Sequence, residues 1–170
     1  DADTGEIIDV NRAMCEMYGY SREEALRTPI GNLSLGEPPY SQAEALEWLR
    51  KTREFGPQVF EWLAKHKDGH TFWVEVSTRF AVIGGHNRFV VIVRDITERK
   101  RAEEALRESE EKLQNIIQHS GSMFYTHTPD HVLTYVSPQV RDILDCEPEE
   151  AHVHWQEFLT DHPTNQKGIQ

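Results

Sequence analysis

The chain has 170 residues and a formal net charge of −11, because 29 acidic residues outweigh 18 basic ones. This charge argues against a protein that binds nucleic acid or an anionic membrane surface, since neutralising phosphates requires a surplus of Lys and Arg. The longest apolar run, residues 89–93, is far shorter than the roughly 20 residues of a membrane span. The two cysteines, Cys15 and Cys146, form no paired motif, which favours a reducing, cytoplasmic compartment over a disulfide framework or a thiolate metal site. The chain begins with Asp1, so we expect it to belong to a longer protein, and membrane anchoring elsewhere in that protein stays open.

The first 56 residues carry helix signals. Residues 7–10 are predicted to form a short strand, and Asn11 is placed to cap a helix that ends at Gly19. Capping boxes of the Ser-x-x-Glu type at residues 21–24 and 41–44 predict a short helix and a longer one that ends near residue 55.

Three strands are predicted next, over residues 59–66, 70–81 and 88–96. Apolar and polar residues alternate in the first two, and glycine-containing turns at residues 68–69 and 84–85 separate the three. The third is apolar on both faces, which is typical of a central strand in a sheet.

Residues 97–118 lack Gly and Pro and are rich in Glu, Arg, Lys, Ala and Leu, which predicts one continuous helix capped by Thr97. Apolar residues recur at steps of four and three, the spacing of a coiled coil. We call this row the seam and expect it to form a parallel homodimer contact, the alternative being a solvated connecting helix. The seam consists of Ala102, Leu106, Ser109, Leu113 and Ile116.

An internal repeat relates residues 7–25 to residues 133–151 at an offset of 126. Each copy has an apolar extended stretch, then a predicted helix cap (Asn11 or Ser137) and apolar residues at helical spacing. Two domains of one type in tandem are therefore predicted, with further strands over residues 123–127 and 132–136. The second copy stops at Gln170, before a full repeat. Either the second domain is simply cut short, or its strand segment 121–136 fills an open sheet edge.

Several motifs resemble the PAS family when taken in order. Residues 3–11 resemble its early hairpin, and Lys67-Asp68-Gly69 its late hairpin. Arg94-Asp95-Ile96-Thr97 resembles its closing signature, where the last strand passes into a signalling helix, and residues 114–120 resemble the lead-in to another PAS domain.

The resemblance implies an α+β fold, with a five-stranded antiparallel sheet, helices on one face and a pocket between them. The expected organisation is a PAS domain at 1–97 without its first strand, a coiled-coil linker helix at 98–118 and part of a second PAS domain at 119–170. It also implies tandem sensory domains of a bacterial sensor, most often a histidine kinase of a two-component system or a cyclic-di-nucleotide enzyme.

Family members bind haem, flavin, small acids or nothing, so the cofactor is unknown. Haem and photoactive flavin are disfavoured, because residues 41–55 contain no His and Cys15 lies outside the flavin motif. Metal binding by His152, His154 and His162 is also disfavoured, as is phosphorylation of His119, which we place in a last helical turn. The aromatics most able to line a ligand pocket are Trp48, Phe60, Trp62, Phe72, Trp73 and Phe80.

The sequence therefore predicts a sensory and relay module in which Asp95 and Thr97 couple the last strand to the helix and to an output domain of the same chain. The alternative is a ligand-free dimerisation or protein-interaction module. No catalytic motif stands out, so we expect no enzymatic activity from these residues, although the parent protein can be an enzyme.

Overall fold

A computed structural model describes residues 1–130 and 132–150. These residues fall into two compact units that divide between Glu103 and Glu104, and each unit is described by itself.

The first unit places short helices before a sheet. Its elements are α1 (Arg12–Tyr18), α2 (Arg22–Ala25), a 3₁₀ turn (Ile30–Leu33), α3 (Gln42–Phe55), β1 (Gln58–Lys65), β2 (Thr71–Ile83), β3 (His86–Asp95) and the start of α4 (Thr97–His119).

The predicted caps of α1, α2 and α3 are confirmed. The Asn11 side chain accepts the Met14 N–H at 2.9 Å, and both capping boxes form around Ser21 and Ser41. Each cap satisfies backbone donors that the first helical turn leaves free. Gly19 ends α1 with φ of 75°, a conformation that glycine adopts without the steric penalty of a Cβ.

The sheet of the first unit is antiparallel with the order β1-β2-β3. In its register Trp62 lies opposite Val74, and Val76 lies opposite Val93. The alternation predicted for β2 is confirmed, because Phe72 and every second residue up to Thr78 are buried. These side chains join Tyr18 of α1 and Trp62 of β1 in one core, so the helices pack on one face of the sheet.

The number of strands in the first sheet differs from the prediction. Within the described residues the first sheet has three strands instead of five, and residues 7–10 are not a strand. A strand needs a neighbour to complete its ladder of hydrogen bonds, and none of the described segments pairs with residues 7–10 in this way. For the same reason β3 is an edge strand here and not a central one, and Ile92 is 66% exposed.

The second unit contains the later part of α4, a two-stranded antiparallel sheet of β4 (Tyr125–His127) and β5 (Leu133–Val136), and α5 (Val140–Leu144). Both strands were predicted. Ser137 does not cap α5, however, because its hydroxyl accepts the N–H of Phe124 at 2.9 Å, and α5 begins after Gln139. The strand predicted for the second copy of the repeat is present as β5, whereas the one predicted for the first copy at residues 7–10 is absent from the structure.

Two buried threonines connect α3 to the sheet. The hydroxyls of Thr52 and Thr78 lie 2.5 Å apart, and only 1% and 2% of these residues is exposed. The Thr52 hydroxyl also donates to the Trp48 carbonyl at 2.8 Å, so Thr78 is the donor in the pair. Removing the acceptor at Thr52 leaves a buried O–H of Thr78 without a partner among the described residues.

We expect Thr52→Val to lower the free energy of unfolding by about 1–3 kcal/mol, because it leaves the Thr78 hydroxyl buried and unpaired. Thr78→Val alone should cost less, since Thr52 keeps its bond to Trp48. The double variant should recover most of the loss. Urea unfolding of the four proteins measures these differences, and simple additivity of the two single substitutions would contradict the assignment.

Candidate functional site: a cavity and the strand–helix corner

The first unit contains a cavity of about 820 Å³ between its helices and its sheet. This volume lies within the range of small-molecule pockets. Residues 5–11 form part of its wall, and residues 88–93 of β3 form another part. The lining is mostly apolar and includes Met14, Met17, Leu49, Phe60, Trp62 and Val76.

Two of the six aromatics predicted for the pocket, Phe60 and Trp62, line the cavity. Trp48 lies behind the wall and stacks on Phe60 with ring centroids 4.2 Å apart.

The other three predicted aromatics do not line the cavity, so the prediction was wrong for them. Phe72 packs edge-on against Tyr18 in the core, Trp73 contacts Tyr40, and Phe80 contacts Phe89. Strand alternation explains Trp73, whose side chain leaves the opposite face of β2 from Phe72 and Val74.

The aliphatic part of the wall was not predicted from the sequence. Met14 and Met17 are three residues apart on α1, so they share a helix face. That spacing was visible in the sequence and could have indicated an unbranched, adaptable lining.

Two polar groups that line the cavity already have partners. Trp62 Nε1 donates to the hydroxyl of Ser34 at 3.0 Å, and Thr78 is paired with Thr52. Burial, with a smaller contribution from the negative charge of Asp95, raises the pKa of Tyr18 above its usual value, so its phenol stays neutral. A molecule in this cavity would therefore make mainly apolar contacts.

The strand–helix corner, residues 95–97, joins β3 to α4. The Ile96 N–H donates to the Trp73 carbonyl at 2.9 Å, and the Trp73 N–H donates to the Thr97 hydroxyl at 3.0 Å. Asp95 Oδ1 accepts the Thr97 N–H at 2.8 Å. Both predicted coupling residues thus lie at the corner.

One detail of the prediction is wrong, because Thr97 does not cap α4. Its hydroxyl is engaged by the backbone of Trp73 on the neighbouring strand, and it is the carboxylate of Asp95 that accepts an N–H of the first turn. A carboxylate also suits the positive end of the helix dipole.

Glu61 of β1 provides a second attachment for α4, which the sequence analysis did not find. Its carboxylate lies 3.0 Å from Arg99 Nη2 and 2.5 Å from Lys100 Nζ. Hydrogen bonding to Lys100, and then to Arg99, lowers the pKa of Glu61 below its usual value. The Lys100 ammonium also lies 5.4 Å from the ring centroid of Trp73. These contacts join residues 27 or more positions apart, so no local pattern could reveal them.

The seam is exposed along its length. Leu106, Leu113 and Ile116 are 61%, 57% and 61% exposed, Ala102 and Ser109 are also exposed, and α4 buries no residue. The continuous helix is confirmed, and the homodimer contact stays a prediction.

Gln139 holds the other end of α4. Its Nε2 donates to the Ile117 carbonyl at 2.6 Å and lies within 3.2 Å of the carbonyls of Gln118 and Ser120. Carbonyls at a helix end lack intrahelical partners, so this side chain caps α4. His119 is the last residue of α4, as predicted, and its Nδ1 lies 2.9 Å from the Asn115 carbonyl.

The remaining histidines weighed for metal binding, His152, His154 and His162, lie outside the described residues. No helix among residues 1–130 and 132–150 is both long enough and apolar enough to cross a bilayer.

An antiparallel sheet with short helices on one face, a cavity between them and a helix leaving the last strand defines an α+β domain of the sensor type. The sequence pattern described as "PAS domain" matches residues 1–98. The chain belongs to the PAS domain family.

Curated and solved relatives agree with this assignment. The methyl sulfide methyltransferase-associated sensor of Methanosarcina acetivorans is 34% identical over 110 residues, which is 65% of this chain and 11% of that protein. The chain therefore spans about a tenth of the length of this relative.

A PAS domain of an HTR-like protein from Haloarcula marismortui superposes with a TM-score of 0.50 at 32% identity, covering 56% of this chain and 76% of the other. A PAS domain from a two-component sensor histidine kinase gives a TM-score of 0.46 at 26% identity, covering 55% and 78%.

The lowered pKa of Glu61 predicts how the attachment of α4 depends on pH. A carboxyl group whose pKa is depressed on folding stabilises the fold above its unfolded pKa, and this contribution is lost as pH falls through the folded pKa. The usual pKa is 4.5. Protection of α4 from hydrogen exchange should therefore fall in the wild type as the pH drops below that value, and Glu61→Gln should remove this part of the pH dependence.

The matched control is Glu75→Gln, because Glu75 lies opposite Glu61 on β2 and has no ion pair in the described part of the chain. It should keep the wild-type profile. Equal profiles for Glu61→Gln and the wild type would contradict the role of Glu61.

Proposed function

We propose that this chain is a sensory and signal-relay module of a multi-domain signal-transduction protein, in which a change at the cavity of the PAS domain is passed through β3 and α4 to an output domain. The observation that supports this most directly is the strand–helix corner, where the backbone of one sheet residue, Trp73, bonds to both Ile96 and Thr97.

The cavity and the corner share the same strands. Phe60 and Trp62 line the cavity from β1, the same strand that presents Glu61 to Arg99 and Lys100. Val93 lines it from β3, two residues before Asp95. A molecule that displaces these side chains would shift the strands to which α4 is attached. A ligand changes an equilibrium only by its different affinity for the two states, and a displacement of this shared wall would be the source of that difference.

The far end of α4 is also attached, through the Gln139 cap. A helix held by polar contacts at both ends can pass a displacement from one end to the other. The strand–turn–strand–helix order beyond α4 and the internal repeat support our proposal that residues 119–170 begin a second PAS domain in tandem with the first.

For the parent protein we propose a sensor such as a histidine kinase, in keeping with the family resemblance and with the relative described as a sensor. The module itself would need no catalytic residue. We place it in the cytoplasm on the ground that its two cysteines are free. The stimulus would be a small apolar or weakly polar molecule, in keeping with the lining of the cavity.

A double-mutant cycle tests the coupling between cavity and corner. Phe60→Leu changes the cavity wall, and Thr97→Val removes the bond to Trp73. Hydrogen exchange of amides 100–106 is measured for the wild type, both single variants and the double variant. We expect a coupling free energy above about 0.5 kcal/mol, because independent sites add within that margin.

The control cycle replaces Thr97→Val by Thr71→Val, an exposed threonine at the start of β2, and should be additive. Additivity in the Phe60–Thr97 cycle would remove the basis of the relay. Native mass spectrometry of the purified chain provides a second test, since a co-purified small molecule supports sensing.

The second candidate function is a ligand-free dimerisation module, and the exposed seam of α4 favours it. Three large apolar side chains at coiled-coil spacing are otherwise left in water. Native mass spectrometry separates the two functions, because the second needs no bound small molecule.

Sedimentation equilibrium tests the dimer with neighbouring substitutions. Leu113→Glu places a charge in the seam and should shift the chain to monomer, because each helix would bury a carboxylate against its partner. Gln114→Glu introduces the same carboxylate at the neighbouring position, outside the seam, and should leave the association unchanged. If both variants associate as the wild type does, α4 is not the dimer contact.

A further inference from the structure

The turn between β1 and β2 brings three metal-ligating side chains together. His66, Asp68 and His70 each offer one ligand atom, and these atoms lie within 4.8 Å of one another. The Asp68 Oδ1 atom lies 2.9 Å from Nδ1 of His66 and 2.6 Å from Nδ1 of His70. None of these three residues lines the cavity or belongs to the strand–helix corner.

The hairpin backbone produces this cluster. The His66 N–H donates to the His70 carbonyl and the Gly69 N–H donates to the His66 carbonyl, both at 2.9 Å. Gly69 has a φ of 100°, which lets the chain reverse tightly. As a result the imidazole rings of His66 and His70 stack 4.4 Å apart at an angle of 21°, and Asp68 lies at the tip of the turn between them.

Two hydrogen-bond acceptors, His66 Nδ1 and Asp68 Oδ1, face each other in the turn. The Asp68 N–H donates to His66 Nδ1 at 3.2 Å, which requires a lone pair on that nitrogen. The same nitrogen faces Asp68 Oδ1, which already accepts the His70 N–H at 3.1 Å. A neutral imidazole nitrogen cannot accept one bond and donate the other. A cation between the carboxylate and the two nitrogens would resolve the conflict, and the exposed Asp68 amide can then bind water.

The charge at the site suits a cation. Asp68 contributes a carboxylate whose Oδ1 atom lies within 2.9 Å of an imidazole nitrogen of each histidine. An aspartate carboxyl group is ordinarily ionised at neutral pH, so it is an anionic ligand beside two imidazoles.

We propose that His66, Asp68 and His70 form a binding site for a divalent first-row transition-metal ion, Zn²⁺ being the expected occupant, with water completing the coordination. Two imidazoles and one carboxylate are a ligand set that Zn²⁺ accepts with a tetrahedral arrangement and one open position. The side chains of Asp68 and His70 are 63% and 58% exposed, so the ion can reach the site from solvent.

An ion at this turn would act on the contact between the hairpin and α1. The Lys67 N–H donates to the Tyr18 carbonyl at 2.9 Å, and the His66 ring lies directly against Gly19. Tyr18 lines the cavity. Metal binding would therefore fix the end of α1 to the hairpin, independently of whether α4 relays a signal.

Calorimetric titration of the untagged chain with Zn²⁺ tests the site. We expect Asp68→Asn and His70→Gln to weaken binding by about tenfold or more, since even supporting residues around a metal contribute that much. Asp68→Asn keeps an oxygen that can accept the His70 N–H, so the turn is preserved. His86→Gln, an exposed histidine at the β2–β3 turn, is the matched control and should bind as the wild type does.

Imidazole NMR signals give a second, independent reading. Substoichiometric Zn²⁺ should shift the signals of His66 and His70 first. Equal affinity in all variants, or shifts confined to other histidines, would show that the hairpin is not the site.

Discussion

The backbone of Trp73 is the group on which the connection between sheet and helix depends. It lies on β2, the strand that pairs with both β1 and β3, and it binds Ile96 through its carbonyl and Thr97 through its N–H. Backbone groups on the middle strand of a sheet are the least able to move, because ladders on both sides fix them. The first residues of α4 are therefore fixed to the middle strand, just beyond the point where its ladder with β3 ends at Val74 and Asp95, while Glu61 and Asp95 complete the attachment with charge.

The features that the sequence predicted well are those with local causes. Asn11, Ser21 and Ser41 cap the helices as expected because a cap is a contact within four residues. The hairpin turn at Asp68-Gly69 follows in the same way from residue preferences at two positions. The PAS fold itself could be inferred because many such local signals occurred in one order.

The features that the sequence did not predict depend on distant residues. A strand at residues 7–10 requires a partner, and its own apolar pattern could not provide one. Asp95 and Thr97 are both able to cap a helix. Only the position of Trp73 decides which of them does so, because the backbone N–H of Trp73 donates to the Thr97 hydroxyl. The aromatics of β1 and β2 divide between cavity, core and opposite face according to their place along each strand, which composition does not reveal.

The length of α4 has a consequence for any change that begins at the corner. Its 23 residues correspond to a rod of about 35 Å at 1.5 Å per residue. In a straight ideal helix, residues that repeat every seven positions rotate about the helix axis by about 20° per heptad. Over three heptads the apolar stripe therefore rotates by about 60°. A slight overwinding or underwinding of the helix near Thr97 would add to this drift and change the direction in which the far end of the apolar stripe faces.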